Sequence, residues 1–564
     1  MLRYRSRGRR FTRGREAPGQ EDSRTAPGIQ PADHLQEHLD RIRNELGNSP
    51  DIIFRQLKLG GASEANCAIV YLNGLSDPEK INHDVMESLL QLDKEFLQNV
   101  ERSPADVLDM VMKDGLAMGE SRMSEDWNEA MLAILSGDTV ILFEGADRLI
   151  IAGTQGGQWR SVTEPTSQLV VRGPKDSFVE SIATNISLIR RRLKSSQLRL
   201  ETMKIGSVTH THVAIMYVKE KADPGIVREI KDRLNRIEIE GILESAYIEE
   251  FIQDKTITPF PTIYNTERPD DATSKLLEGR IVVLVDGTPF VLVLPTVFAH
   301  FFQSPEDYAQ RFDIAIVMRL VRYIGFIILI LGPSVYIALT TFHYEMVPTQ
   351  LLISLVAQRE GVPFPAFIEA MLMEVVFEIL REAGVRMPRA IGQTVSVVGA
   401  LILGQAVVEA GLITPAMVIV VALTGIASFT LPAYNLSIAG RLIRFGFMVL
   451  SGMFGFYGLT LGVIVLIAHM NSLRSFGVPF MSPISPFRLR NQKDAIIRLP
   501  FQPLQTQAAE ASTGPGTASK NDASSAEDSD GRMDGAGQQG SDGKITSGSR
   551  QHTAANGAGG IRDA

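Results

Sequence analysis

Apolar side chains are distributed unevenly along the 564 residues. Up to about residue 310 they come in short runs between charged stretches, from 313 to 480 they dominate, and beyond 505 the large ones nearly vanish. In the first region the continuous run 67–73 (CAIVYLN) predicts a buried strand, punctuated by Gly74 and Asp77-Pro78. Residues 79–92 and 105–116 predict helices. Two apolar runs within 138–153, joined by Glu-Gly-Ala-Asp, predict a hairpin. A second unit begins near Gly173. There Phe178, Ile182, Ile186 and Ile189 share one face of a helix over 177–192, and 198–204 and 211–218 predict strands. Asp223-Pro224 reads as N-cap and first position of a helix over 224–237. Residues 281–285 (IVVLV) predict the last strand.

In the apolar region, 323–342, 390–410, 414–432 and 445–468 are each long enough to cross about 30 Å of hydrocarbon as a helix. Gly332-Pro333 is expected to kink the first. Thr414 and Pro415 start the third, and Pro432 stops it. A fifth segment, 363–384, is apolar but carries Glu369, Glu374, Glu378 and Glu382. The last three follow i, i+4 spacing and form one acidic stripe. Lipid does not accept that face, so it meets water, headgroups or protein. One reading is an interfacial helix with Glu378–Arg381 and Glu382–Arg386 pairs. A second makes Glu374, Glu378 and Glu382 the lining of a cation path. A third is a buried, protonated set. Gly392, Ser396, Ala400 and Gly404 recur every four residues, and Gly458 and Gly462 form a GxxxG. Small residues let backbones approach, so both are candidate helix-packing seams, within the chain or between copies.

Composition changes this picture at the ends. Residues 505–564 cannot bury enough surface to offset ordering entropy, so a disordered tail is expected. The first fifteen residues carry seven arginines with no apolar core behind them. That predicts a basic arm left in the cytoplasm, either solvated or resting on anionic headgroups. The single cysteine, Cys67, excludes an internal disulfide and a cysteine-based metal site. GTQGGQ at 153–158 lacks the phosphate-loop pattern. His210 and His212 at i, i+2 have no third ligand in view, and no catalytic pair or cofactor motif is present. Arg190, Arg191, Arg192, Lys194 and Arg199 form a basic cluster, read as a solvated helix end or a face toward headgroups or another subunit. Arg319 and Arg322 before the first run place the soluble half in the cytoplasm. Arg474, Arg488 and Arg490 after the last run break that rule if five segments cross. The joint between the halves is a candidate for coupling. Asp286-Gly287 reads as a turn, Pro289 and Pro305 prevent one continuous helix, and Glu306 and Asp307 sit at the start of the helix leading to the first run.

The longest informative strings flank this joint: NTERPD (265–270), LLEGR (276–280), VDGTPF (285–290) and QSPEDY (303–308), with RGPKDSFVESIATNISLIRRRLKSSQLR at 172–199. In this order they resemble the A subunit of the GerA spore germination receptor family, over roughly Leu35 to Phe487. The resemblance supports an α/β cytoplasmic N-terminal region of two tandem subdomains, then a polytopic α-helical membrane domain and the disordered tail. The divisions expected are 1–34, 35–170, 171–287, a joint at 288–312, 313–487 and 488–564. It also implies a nutrient-responsive receptor subunit in the spore inner membrane. Its partners would be a transporter-like B subunit and a lipoprotein C subunit, and it would form a homo-oligomer that conducts ions. A paralogue that amplifies the germination signal without sensing nutrient is the alternative within the family. A secondary transporter or a membrane-anchored enzyme would be alternatives outside it; no inverted repeat or catalytic constellation supports either. Nucleic acid is not an expected partner.

Overall fold

The computed structural model describes residues 35–59, 65–91, 104–116, 118–156, 165, 168–386, 404–487 and 494–500. The expectations for the basic arm, for most of the run 390–410 (Gly392, Ser396 and Ala400 included) and for the tail beyond 500 lie outside the described residues.

The first subdomain opens with α1 (Leu35–Leu46), whose Leu35, Leu39, Ile42 and Leu46 are buried at helical spacing. Strands β1 (Ile52–Leu59) and β2 (Ala65–Leu72) pair antiparallel, with Ile52 opposite Leu72. Asp77 caps the helical stretch 78–91, which passes through a π segment over Ile81–Glu87. Then come β3 (Ser121–Ser124), α2 (Trp127–Ser136), β4 (Thr139–Phe143) and β5 (Leu149–Ala152). The sheet order is β1-β2-β4-β5-β3, antiparallel throughout.

The second subdomain repeats that plan. It contains α3 (Ile182–Arg192), β6 (Leu198–Ile205), β7 (Thr211–Val218), α4 (Pro224–Asn235), α5 (Ser245–Ile252), β8 (Tyr264–Thr266), α6 (Pro269–Leu277), β9 (Ile281–Val285) and β10 (Val291–Leu294). Its order, β6-β7-β9-β10-β8, is position for position that of the first sheet. In both, one helix precedes the first strand and another joins the third strand to the fourth. Asp223 accepts from the Gly225 amide at 2.7 Å and caps α4 as expected. Two expectations change. Residues 281–285 are not the last strand, because β10 follows and pairs with both β9 and β8. Gly287, at φ +90°, lets the chain reverse there. The helix expected from 177 begins at Ile182; Phe178 precedes it yet fills the same core. Alternation along β9 sends Val282 and Leu284 to one core and Ile281, Val283 and Val285 to the other.

The apolar half contains α7 (Phe312–Thr341), α8 (Thr349–Arg359), α9 (Ala366–Arg386), α10 (Pro415–Phe429) and α11 (Tyr434–Ser472). Helix α7 starts eleven residues before the apolar run and continues through Pro333. Helices α9 and α10 run in the same direction, since Glu369 meets Thr414 and Arg381 meets Ser428. Helix α10 runs antiparallel to α7: Gly325 faces Thr430 and Gly332 faces Thr424.

Helix α11 is two helices folded against each other. Gly455, at φ 58° and ψ −139°, has non-helical angles. A Cβ on Gly462 would lie 2.8 Å from the Phe447 ring, fifteen residues away. A straight helix would separate those positions by roughly 22 Å. The half before Gly455 is about 31 Å long and the half after it about 25 Å, each close to one bilayer crossing. The run 445–468 is therefore not one span. Its second half returns, and residues 474–480 pack on the soluble half through Ser475, which bonds Thr262 and Thr296. The reversal brings Arg474, next to Ser475, back beside the soluble half.

Candidate functional site

The strings around 172–199 and 265–308 form the seams of the soluble half. Arg268 is buried and reaches the carbonyl of Pro174 at 2.8 Å and Asp270 at 2.9 Å. Ser177 bonds the Glu267 carbonyl. The basic cluster at 190–199 is only partly solvated: Arg190 and Arg199 are buried, while Lys194 is exposed. Arg190 makes a bidentate pair with Asp51 of the first subdomain at 2.8 and 3.0 Å. Arg199 reaches the Glu45 carbonyl, Lys194 reaches Ser136, and Arg191 reaches the Gly156 carbonyl. The cluster joins the two subdomains. His210 stands in a turn at φ +46°, so it does not share a strand face with His212.

At the joint, Asp286 accepts from the Ile182 amide at 3.1 Å and so caps α3, and the Gly287 amide donates to Glu180. Pro289 lies in the turn between β9 and β10. Pro305 precedes a single turn of helix, Glu306–Ala309, which ends before α7 begins. Glu306 and Asp307 therefore do not cap the helix leading into the membrane. Asp307 is buried and accepts from Arg319 at 3.0 Å and from Arg322 at 2.7 Å. Those arginines lie at i, i+3, one face of α7. Charge-assisted pairs of this kind are the strong class of hydrogen bond. Arg319 also pairs with Asp494, which accepts from Tyr308 at 2.8 Å. Burial raises the Asp494 carboxyl above its ordinary range, and burial beside Asp494 keeps the Tyr308 phenol protonated. Gln303 bonds the Asp494 carbonyl and receives Lys275, while Arg498 reaches the Gln310 carbonyl. Lys275, QSPEDY, the start of α7 and residues 494–498 thus form one clasp. The sequence marked Arg319 and Arg322 only as signs of topology, and Asp494, 187 residues from Asp307, carried no signal.

The acidic stripe meets protein. Glu374 and Arg444 are 0% and 1% exposed and 2.6 Å apart. Glu378 pairs with Arg441 rather than Arg381, while Glu382 pairs with Arg386 as expected. Arg381 instead bonds Ser428 and covers the Phe429 ring. Glu369 accepts from the Thr414 amide and hydroxyl at 3.0 Å, a carboxylate at the positive end of α10. Arg441 and Arg444 lie inside α11. Their i, i+3 spacing matches the i, i+4 spacing of Glu374 and Glu378, which was the available signal. Glu378 and Glu382 stay partly open to a groove of about 590 Å³ bounded by Val375, Ile379 and Phe445. Among the described residues, Gly404 has nothing within 4 Å of a built Cβ, whereas Gly458 and Gly462 pack on the first half of their own helix.

Fold and clasp define a polytopic membrane protein whose duplicated soluble half is fastened to its first membrane helix. Residues 40–509 match the family described as Bacillus/Clostridium GerA spore germination protein. The chain is 48% identical over 467 residues to spore germination protein KA of Bacillus subtilis (strain 168), over 83% of this chain and 85% of that protein. It is 39% identical over 498 residues to the uncharacterized membrane protein YfkQ of the same strain, over 88% and 94%. It is similar to the crystal structure of the N-terminal domain of the A subunit of the Bacillus megaterium spore germinant receptor GerK3, at 39% identity and a TM-score of 0.39, covering 49% of this chain and 99% of that one. The chain belongs to the GerA spore germination family, as an A subunit: a membrane receptor component, not an enzyme.

Proposed function

We propose that the chain responds to a nutrient in the spore inner membrane, with its soluble half in the cytoplasm, and contributes to an ion-conducting homo-oligomer. A transporter-like B subunit and a lipoprotein C subunit would complete the receptor. One observation carries the reading. Glu378 and Glu382 remain partly exposed on a largely apolar helix, where lipid is a poor neighbour for carboxylates. Water in an ion path, or another copy, would complete the surroundings that Arg441 and Arg386 supply only in part. In this reading Glu374, already neutralised by Arg444, supports the helix rather than the path. The joint from Asp286 to Asp307 carries the signal, since the clasp fixes the soluble half to α7. Gly404, with no described residue against it, suits contact between copies. Glu382→Gln removes exposed charge without disturbing the buried pair. Spores carrying it are expected to release potassium several-fold more slowly at unchanged subunit level. Wild-type release would remove the path reading and leave an interfacial helix.

A further inference from the structure

We infer that the end of α5 and the loop following it insert Phe251 and Ile257 into the lipid interface beside the end of α11. This anchor rests on the membrane reading of the chain and not on its role in germination. The loop is fixed to the last turn of the returning helix: Thr258 Oγ1 lies 2.9 Å from His469 Nε2. Just beyond that helix the Gly477 amide donates to Asp254 at 3.4 Å. Arg233 pairs with Asp254 at 2.6 Å and covers the Phe476 ring at 4.5 Å. The loop therefore moves with the end of α11 rather than hanging from the soluble half.

The lipid-facing side of α11 reaches almost to this point, because Ile464, Val465 and Ile467 are all more than half exposed. Ile257 is 87% exposed and Phe251 is 52% exposed. Two large apolar side chains at the edge of an apolar membrane surface continue that surface. Lys255 stands between them in the chain and offers a cation to headgroup phosphates. Asp254 is already neutralised by Arg233, and Glu249 and Glu250 lie on α5 before Phe251. The apolar tips and not net charge hold the loop to the bilayer.

The test is a nitroxide on Ile257→Cys in the full chain, reconstituted into phosphatidylcholine–phosphatidylglycerol vesicles. Native Cys67 is buried, and burial pushes its thiol up to about 12, so it does not compete for the label. Power saturation compares collisions with oxygen, which enriches in lipid, against a water-soluble nickel chelate. Ile467→Cys supplies the lipid reference. Val208→Cys, on the exposed turn at 206–210, supplies the aqueous one. The expected result is an oxygen preference at Ile257 several-fold above that at Val208 and approaching that at Ile467. A nickel preference like that of Val208 overturns the proposal. Shielding from both reagents also overturns it, because it would show another protein surface covering the loop. An aqueous reading at Ile467 would overturn the spanning helix and the anchor together.

Discussion

Burying Glu374 and Arg444 costs several kcal/mol of hydration per ion, which their contact offsets only while both are present. Arg444→Met is expected to lower stability by about 3–5 kcal/mol, by stranding a buried carboxylate. Glu374→Leu combined with Arg444→Met should return to the parent level or above it. Thermal denaturation midpoints of the purified chain in detergent measure both. An equal loss in the single and double variants would mean that packing, not the ion pair, holds this seam. The acids were legible at this scale, because i, i+4 spacing shows a helical stripe directly. Their partners were not, because Glu374 and Arg444 are seventy residues apart and only the packing of α9 on α11 brings them together. Asp307 teaches the same lesson from the other side. Its position before the apolar run suggested a helix cap, yet two arginines one turn apart on α7 outcompete that role.

At the level of elements, Gly455 decides the path of the chain. Its angles are open to glycine and costly for other residues, about 1–3 kcal/mol from the backbone alone. A Cβ there would also lie 2.8 Å from the His343 ring and 2.9 Å from Phe342. Gly455→Leu is expected to abolish the reversal and detach residues 474–480 from the soluble half. Gly446→Leu, where a built Cβ meets nothing within 4 Å, should leave it intact. Arg474→Cys in each background, labelled with a membrane-impermeant maleimide from either side of sealed vesicles, reports the outcome. Unchanged sidedness and labelling rate in Gly455→Leu would show that the hairpin does not depend on this glycine. Hydropathy cannot display such a reversal, since the side chains before and after Gly455 are equally apolar. Strands and caps of the soluble half were more visible. Asp223-Pro224, Thr414-Pro415 and the 138–153 hairpin are local signals, and all stand in the structure. Strand β10 was not legible because its apolar run is only four residues long and follows Pro289, which reads as a break.

Across the whole molecule, residues 494–498 tie the soluble half to α7. Truncation after Leu504 keeps Asp494 and Arg498 and should leave membrane insertion and assembly unchanged. Truncation after Phe487 removes both and should loosen the clasp. Each hydrogen bond to a charged group is worth about 1.5–3 kcal/mol, so tryptic cleavage at exposed Arg311 should accelerate on the order of tenfold or more. Time courses on sealed vesicles compare the two truncations with the full chain. Equal cleavage rates in all three would show that the joint is held by the aromatic core of Phe298, Phe302 and Phe326 alone.

By itself the sequence determined that a mixed, charged region precedes an apolar one, that the first holds two α/β units, and which helix carries an acidic stripe. It also determined the family, through ordered strings that survive independently of any contact. These properties are written in neighbouring residues, through periodicity, turn chemistry and local polarity. Only the tertiary structure decided that the two sheets share one strand order and that the last apolar run folds back. It alone decided which bases neutralise Glu374, Glu378 and Asp307. Those outcomes depend on surfaces dozens to hundreds of residues apart, where burial makes an unpaired charge too costly and so selects the partner that packing delivers.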